Sequence, residues 1–127
     1  MRYGLSRGTI QKICAILSCY PRVKKAVLYG SRAKGNYKTG SDIDLTLIGE
    51  DLSLDLLYKI LRDIDELFLP YTVDLSIFKD IGDPDVIEHI QRVGVTFYNR
   101  SEIVSEAVAS ELLSTQIVPA KGNKSST

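Results

Sequence analysis

The amino-acid sequence predicts an α/β fold of the α+β type, in which a small mixed β-sheet has helices packed on one face and an open second face. Segments in which apolar and polar residues alternate are separated by segments with the 3.6-residue spacing of helices. The first two predicted strands are joined by a short loop rich in Gly, Asn and Ser, so they are expected to pair antiparallel. The second and third strands are separated by a long helix, which suits parallel neighbours.

Length and composition limit the class of protein. With 127 residues, 44% of them apolar, the chain is expected to form one domain with a modest core. Lys and Arg number 16, as do Asp and Glu, so bulk attraction to nucleic acid or membranes is not indicated. The N-terminus has no signal-peptide pattern, and no apolar run approaches the roughly 20 residues that span a bilayer. A cytoplasmic protein is therefore expected.

Neither a zinc site nor a disulfide is expected. Cys14 and Cys19 stand at i and i+5 of a predicted helix, on different sides of it. The single histidine, His89, lies far away in sequence and is expected on the flank of a helix, bonded to water or a neighbour.

The first third of the chain predicts a helix, a strand and a short helical turn. Residues 5–20 carry apolar side chains at helical spacing and are followed by Pro21. Residues 23–30 predict a strand that stops at Gly30, and residues 31–34 a short helix or turn.

The remaining elements are predicted by alternation and by capping residues. In residues 42–49, three apolar side chains alternate with Asp42, Asp44 and Thr46, which is typical of a half-buried strand. Ser53 is a candidate N-cap for a helix to about residue 67. Residues 71–78 predict a third strand. Asp83 followed by proline predicts a helix to residue 93, and residues 95–99 a short fourth strand.

We assign residues 1–100 to the domain itself and residues 101–127 to a C-terminal helix and a disordered tail. Residues 102–113 have apolar positions at helical spacing and could cover this protein's own sheet or a partner. The final nine residues are small and polar and begin with proline.

Polar residues are predicted to meet at one edge of the sheet. An antiparallel pair places the end of the first strand, Gly30-Ser31-Arg32, beside the start of the second, with Asp42 and Asp44. A parallel third strand brings Asp74 level with them. By alternation, Asp74 lies on the same polar face.

This grouping indicates phosphate chemistry. Three close carboxylates cannot all stay ionised without compensation, and Mg²⁺ prefers a few carboxylates together with phosphate oxygens. Two such ions about 3.5–4 Å apart would suit an in-line displacement. Gly30 lets a phosphate approach the backbone, and Ser31 offers a hydroxyl and an N–H at a helix start. Arg32 and Lys34 add positive charge.

From about residue 17 to residue 99, the sequence resembles the minimal nucleotidyltransferase (MNT) branch of the DNA polymerase beta superfamily. The resemblance is carried by Gly30-Ser31-Arg32, by the segment SDIDL and by Asp74 in VDLSIF. It implies the nucleotidyltransferase fold, with the active site on the open face of the sheet. The implied reaction is transfer of AMP from ATP to an acceptor hydroxyl, with release of pyrophosphate.

The resemblance also implies a role for each matching residue. Asp42 and Asp44 would be metal ligands, and Asp74 would be the third carboxylate, close to the incoming hydroxyl. Ser31, flanked by Gly30, would hold the nucleotide phosphates. Arg32, which adds positive charge beside this turn, is also assigned to nucleotide binding.

Small MNT proteins often act as antitoxins of a helical partner of the HEPN type, and some transfer AMP to a tyrosine of that partner. Such a partner is therefore expected here. Two alternatives stay open: an antitoxin that acts mainly by occlusion, and a small-molecule adenylyltransferase whose acceptor pocket would need a homodimer. Nucleic acid is not expected as a substrate, because the chain is neutral and has no aromatic and basic groove.

Overall fold

The computed structural model describes residues 1–102, and the expected helix of residues 102–113 lies almost wholly outside them. The predicted division near residue 100 therefore stays a prediction. The elements, in chain order, are α1 (Arg7–Ser18), β1 (Val23–Tyr29), α2 (Gly30–Lys34), β2 (Ile43–Gly49), α3 (Leu54–Asp65), β3 (Val73–Ile77), a 3₁₀ turn (Phe78–Asp80), α4 (Pro84–Val93) and β4 (Val95–Asn99).

The strands form one mixed sheet in the order β3-β2-β1-β4. β1 pairs antiparallel with β2 and with β4, whereas β2 and β3 are parallel. Both pairings of β2 follow the prediction from connection length. The predicted α+β class is confirmed.

Capping side chains set the starts of three helices. Ser53 accepts a hydrogen bond from the N–H of Leu56, and Asp83 accepts one from Asp85 with proline in the first turn. Both caps were predicted. Ser6 caps α1 through the N–H of Thr9, which starts that helix at Arg7 rather than at residue 5. No helix within residues 1–102 is long and apolar enough to cross a membrane.

The core lies on the face of the sheet that α1 and α3 cover. Alternate residues of β1 and β2 meet one stripe from each helix, and the principal buried side chains are Ile13, Leu17, Ala26, Leu28, Ile43, Leu45, Leu47, Ile60 and Ile64. Burial of a Leu or Ile side chain stabilises a fold by about 1.5–3 kcal/mol. These positions therefore fix which face of each strand is turned away from the core.

The opposite face carries the polar positions, and α4 borders it. The ring of His89 on α4 meets the ring of Tyr29, and a Cβ on Gly94 would lie 2.7 Å from Val27. Further along the sheet, Ser76 donates a hydrogen bond to Thr46, which is fully buried. The accessible part of this face is the end at which β2 and β3 begin.

Candidate active site

Three side chains on neighbouring strands form a row across the polar face. Tyr29 at the end of β1 pairs with Asp44 on β2, and Asp44 pairs with Asp74 on β3. The antiparallel turn and the parallel crossover thus bring together Asp44 and Asp74, two of the three carboxylates that the sequence placed at this edge. Asp42 lies one position before β2, and its charge reaches Asp44. Asp74 is exposed, whereas Asp44 is only partly accessible.

The electrostatics of Asp44 show that the carboxylates act on one another. Burial is the main cause that raises its pKa, and the negative charges of Asp74 and Asp42 raise it further. His89 and Arg32 act in the opposite direction. Because like charges at this edge oppose ionisation of Asp44, the edge favours a bound cation.

Gly30 forms the turn that brings the phosphate-binding candidate against these carboxylates. Its φ is +75°, a backbone conformation that residues other than glycine rarely adopt. A Cβ at this position would collide with Oδ2 of Asp44. Ser31 follows it in the first turn of α2. The predicted meeting of Gly30-Ser31 with Asp44 is therefore present, and the close approach depends on the missing side chain.

His89 is a site residue to which the sequence alone assigned no role. The backbone N–H of Gly30 donates to its Nε2 at 3.2 Å, across 59 positions of sequence. The His89 and Tyr29 rings meet edge to face, with centroids 6.1 Å apart. No local pattern marks a contact of this range, although the register of Tyr29 with Asp44 could have placed Tyr29 here.

The side chain of Arg32 is buried, whereas a phosphate ligand was expected to be accessible at this edge of the sheet. It is only 3% exposed, and its guanidinium donates to the carbonyl oxygens of Ser41 and Tyr3. Lys34, two positions later, is exposed. The nucleotide-binding role assigned to Arg32 stays a prediction. In the structure, each of its three side-chain nitrogens donates a hydrogen bond to a backbone carbonyl oxygen.

The donor set at this edge fits a hard divalent cation. Asp42, Asp44 and Asp74 offer carboxylate oxygens, which Mg²⁺ prefers over nitrogen or sulfur ligands. Burial is the largest cause of the raised pKa of Asp44, and repulsion by Asp74 and Asp42 adds to it. A bound cation would relieve that repulsion. Within residues 1–102, no three His, Cys, Asp or Glu side chains are gathered closely enough to hold a metal ion by themselves. The nucleotide phosphates would therefore complete the ligand set.

Residues 11–103 match the family model "Polymerase beta, Nucleotidyltransferase", and the chain belongs to this nucleotidyltransferase family. The predicted membership of the polymerase beta superfamily is thus confirmed. A curated relative, the "Putative protein adenylyltransferase MJ0604" of Methanocaldococcus jannaschii, is 44% identical over 43 residues. That alignment covers 32% of this chain and 43% of the relative, so the chain matches less than half of that relative's length.

Solved structures share the fold. A chain from a toxin–antitoxin crystal structure with AMP-PNP has a TM-score of 0.58 and 16% identity, covering 91% of this chain and 98% of that one. A chain from the complex of a tri-AMPylated Shewanella oneidensis HEPN toxin with its MNT antitoxin has a TM-score of 0.57 and 15% identity, covering 92% of each chain. At these identities, the likeness establishes the nucleotidyltransferase fold.

Proposed function

We propose that this protein transfers AMP from ATP to a hydroxyl group of a helical protein partner of the HEPN type. The observation that carries this proposal is the pairing of Asp44 with Asp74 directly beside the Gly30-Ser31 turn. Carboxylates next to donors for phosphate are what a nucleotidyl transfer requires. Family membership supports the reaction class.

The two sides of the site have different tasks. Since the N–H of Gly30 is bonded to His89, Ser31 supplies the free donors of the turn to the nucleotide phosphates. Asp42 and Asp44 would hold Mg²⁺, with Asp74 as a shared ligand. When bound, the metal neutralises charge that develops on the phosphate oxygens. Two ions, as in many phosphoryl-transfer sites, are part of this proposal.

Asp74 takes the acceptor side, because it lies one strand further from the Ser31 turn than Asp44 does. The acceptor oxygen forms a bond to the α-phosphorus of ATP while the bond from that phosphorus to the bridging oxygen breaks. Pyrophosphate leaves with the bonding electrons. The hydroxyl proton passes to the Asp74 carboxylate and then to solvent, as in general base catalysis.

The identity of the acceptor rests on the relatives. Two structural neighbours are chains of toxin–antitoxin complexes, one with AMP-PNP and one with an AMPylated HEPN toxin, and the curated relative is named a putative protein adenylyltransferase. An antitoxin that acts mainly by occlusion is the second candidate, supported by the same complexes. The presence of all three carboxylates, Asp42, Asp44 and Asp74, favours turnover over occlusion alone.

Calorimetric titration with ATP, in the presence and absence of Mg²⁺, tests the site. We expect tight binding only with Mg²⁺, and loss of that binding in Asp44→Asn. Glu50→Gln is the matched control, because it makes the same charge change at an exposed residue just beyond the far end of β2. Equal, weak binding with and without Mg²⁺ would contradict the proposal.

A further inference from the structure

We infer that Arg32 is a positioning residue, which ties the phosphate-binding turn to the loop that carries Asp42. This inference rests on the proposed function, since it assigns Arg32 a task in the same site. It departs from the expectation that an arginine beside a Gly-Ser turn binds phosphate directly.

The connection is a forked pair of hydrogen bonds. Nε and Nη2 of Arg32 both donate to the carbonyl oxygen of Ser41, at 3.1 and 2.8 Å. Arg32 directly follows Ser31, and Ser41 directly precedes Asp42. One guanidinium therefore fixes the distance between the proposed phosphate donor and the first proposed metal ligand, because only one peptide bond separates each of these residues from the hydrogen-bonded pair.

Other contacts hold the guanidinium in this orientation. Nη1 donates to the carbonyl oxygen of Tyr3 at 2.9 Å. The rings of Tyr71 and Tyr37 lie 4.9 and 5.3 Å from the guanidinium carbon. Gly4 permits the N-terminal turn to close over the group, because a Cβ there would lie 2.8 Å from Nη1.

These contacts leave little of the Arg32 guanidinium accessible to a ligand. Arg32 is 3% exposed, so an incoming phosphate cannot reach its remaining donors without displacing packed groups. Within residues 1–102, no carboxylate lies within ion-pair distance of Arg32. Its charge still acts on Asp44 through space and partly opposes the rise in pKa that burial, Asp74 and Asp42 cause there. The Arg32 guanidinium thus supports the site in two ways: its hydrogen bonds position the loop that carries Asp42, and its positive charge acts on Asp44.

Arg32→Lys separates positioning from charge. Lysine keeps the positive charge but cannot make the planar fork. We expect Arg32→Lys to remain folded by circular dichroism, and its kcat/KM for AMP transfer to fall about 10- to 100-fold, as for a small displacement of reacting groups. Arg92→Lys on α4, an exposed side chain, is the matched control and should keep wild-type kinetics.

Hydrogen exchange gives a readout that does not depend on activity. Loss of a charged hydrogen bond should speed amide exchange in the loop of residues 36–42 by about tenfold, while the sheet amides keep wild-type protection. Loop exchange and kinetics both within about twofold of wild type in Arg32→Lys would overturn the inference. A purely structural role would lower Tm and leave kcat and KM of the folded protein unchanged, which would also overturn it.

A second variant covers a failure of Arg32→Lys to fold. Tyr71→Leu removes one of the two rings that contact the guanidinium and leaves arginine in place, so loop exchange should rise and transfer should fall relative to wild type. Unchanged exchange and transfer in Tyr71→Leu would contradict the inference if Arg32→Lys does not fold. An inactive wild-type protein would instead count against the proposed function, and the exchange measurement would still decide the role of Arg32.

Discussion

Asp44 on β2 lies directly opposite Asp74 on β3 in the parallel ladder, and the charge of Asp74 helps to raise the pKa of Asp44. The fold therefore holds two carboxylates side by side at a cost to its own stability. Removal of one charge should relieve that cost, which makes the pair testable by stability as well as by activity.

Asp44→Asn should stabilise the metal-free protein at pH 7. The pKa of Asp44 in the fold lies above the ordinary 3.8, so the folded state binds this proton more tightly than the unfolded state. The contribution of this proton to the free energy of unfolding is fully present below pH 3.8 and is lost as the pH rises through the raised pKa of Asp44. Thermal unfolding at pH 7 and at about pH 3 should show an advantage for Asp44→Asn that shrinks at the lower pH. A variant less stable than wild type at pH 7 would contradict this electrostatic assignment.

Gly30→Ala should disrupt both the turn and Asp44. The positive φ of Gly30 costs an alanine about 1–2 kcal/mol, and its Cβ would also displace the Asp44 carboxylate. Gly35 has φ +90° and open space within 4 Å of the position that a Cβ would take, so Gly35→Ala incurs the backbone cost alone. In chemical denaturation, both Gly30→Ala and Gly35→Ala should lose stability through the backbone cost. In Mg²⁺–ATP titration, only Gly30→Ala should lose binding. Normal binding by Gly30→Ala would show that the contact with Asp44 is unimportant.

Asp74→Asn should separate nucleotide binding from chemistry. Asp74 is on the strand further from Ser31, so Asp74→Asn should still bind Mg²⁺–ATP and should lose less affinity than Asp44→Asn does. Loss of a general base typically costs about 10²–10⁴-fold in rate, so we expect transfer at least about a hundredfold slower. Binding titration and single-turnover transfer of labelled AMP, run in parallel, check this. Loss of binding together with activity would place Asp74 in the nucleotide site instead.

His89→Leu should weaken the proposed phosphate-binding turn at Gly30-Ser31, whereas His89→Gln should preserve it. Leucine leaves the partly buried N–H of Gly30 without its acceptor, which costs about 1–3 kcal/mol. The side-chain oxygen of glutamine can replace Nε2 as acceptor. Urea unfolding and Mg²⁺–ATP titration should show losses in the leucine variant that the glutamine variant largely recovers. Equal losses in both variants would show that the ring packing against Tyr29 matters, rather than the hydrogen bond.

The sequence predicted the strands and the meeting of Gly30 with Asp44 because both depend on local rules. Alternation sets which face Asp44 and Asp74 occupy, and connection length sets whether neighbouring strands are parallel. The capping side chains of Ser53 and Asp83 are equally local.

The positions of His89 and Arg32 could not be predicted in this way. The bond from Gly30 to His89 spans 59 positions and depends on where α4 packs against the polar face. The sequence indicates that Arg32 is charged, but its burial depends on the combined arrangement of Tyr3, Ser41 and Tyr71. Such contacts are decided by tertiary packing rather than by spacing along the chain.

Transfer of labelled AMP from ATP to the protein that co-purifies with this chain tests the central claim most directly. Wild-type protein with Mg²⁺ should label a hydroxyl-bearing residue of the partner, identified by mass spectrometry, and should release pyrophosphate in equal amount. Asp42→Asn and Asp44→Asn should bind the same partner and transfer no label, while Glu50→Gln should behave as wild type. Partner binding without labelling by wild-type protein would contradict the account and favour occlusion, and undiminished labelling by Asp44→Asn would remove this carboxylate edge from the reaction.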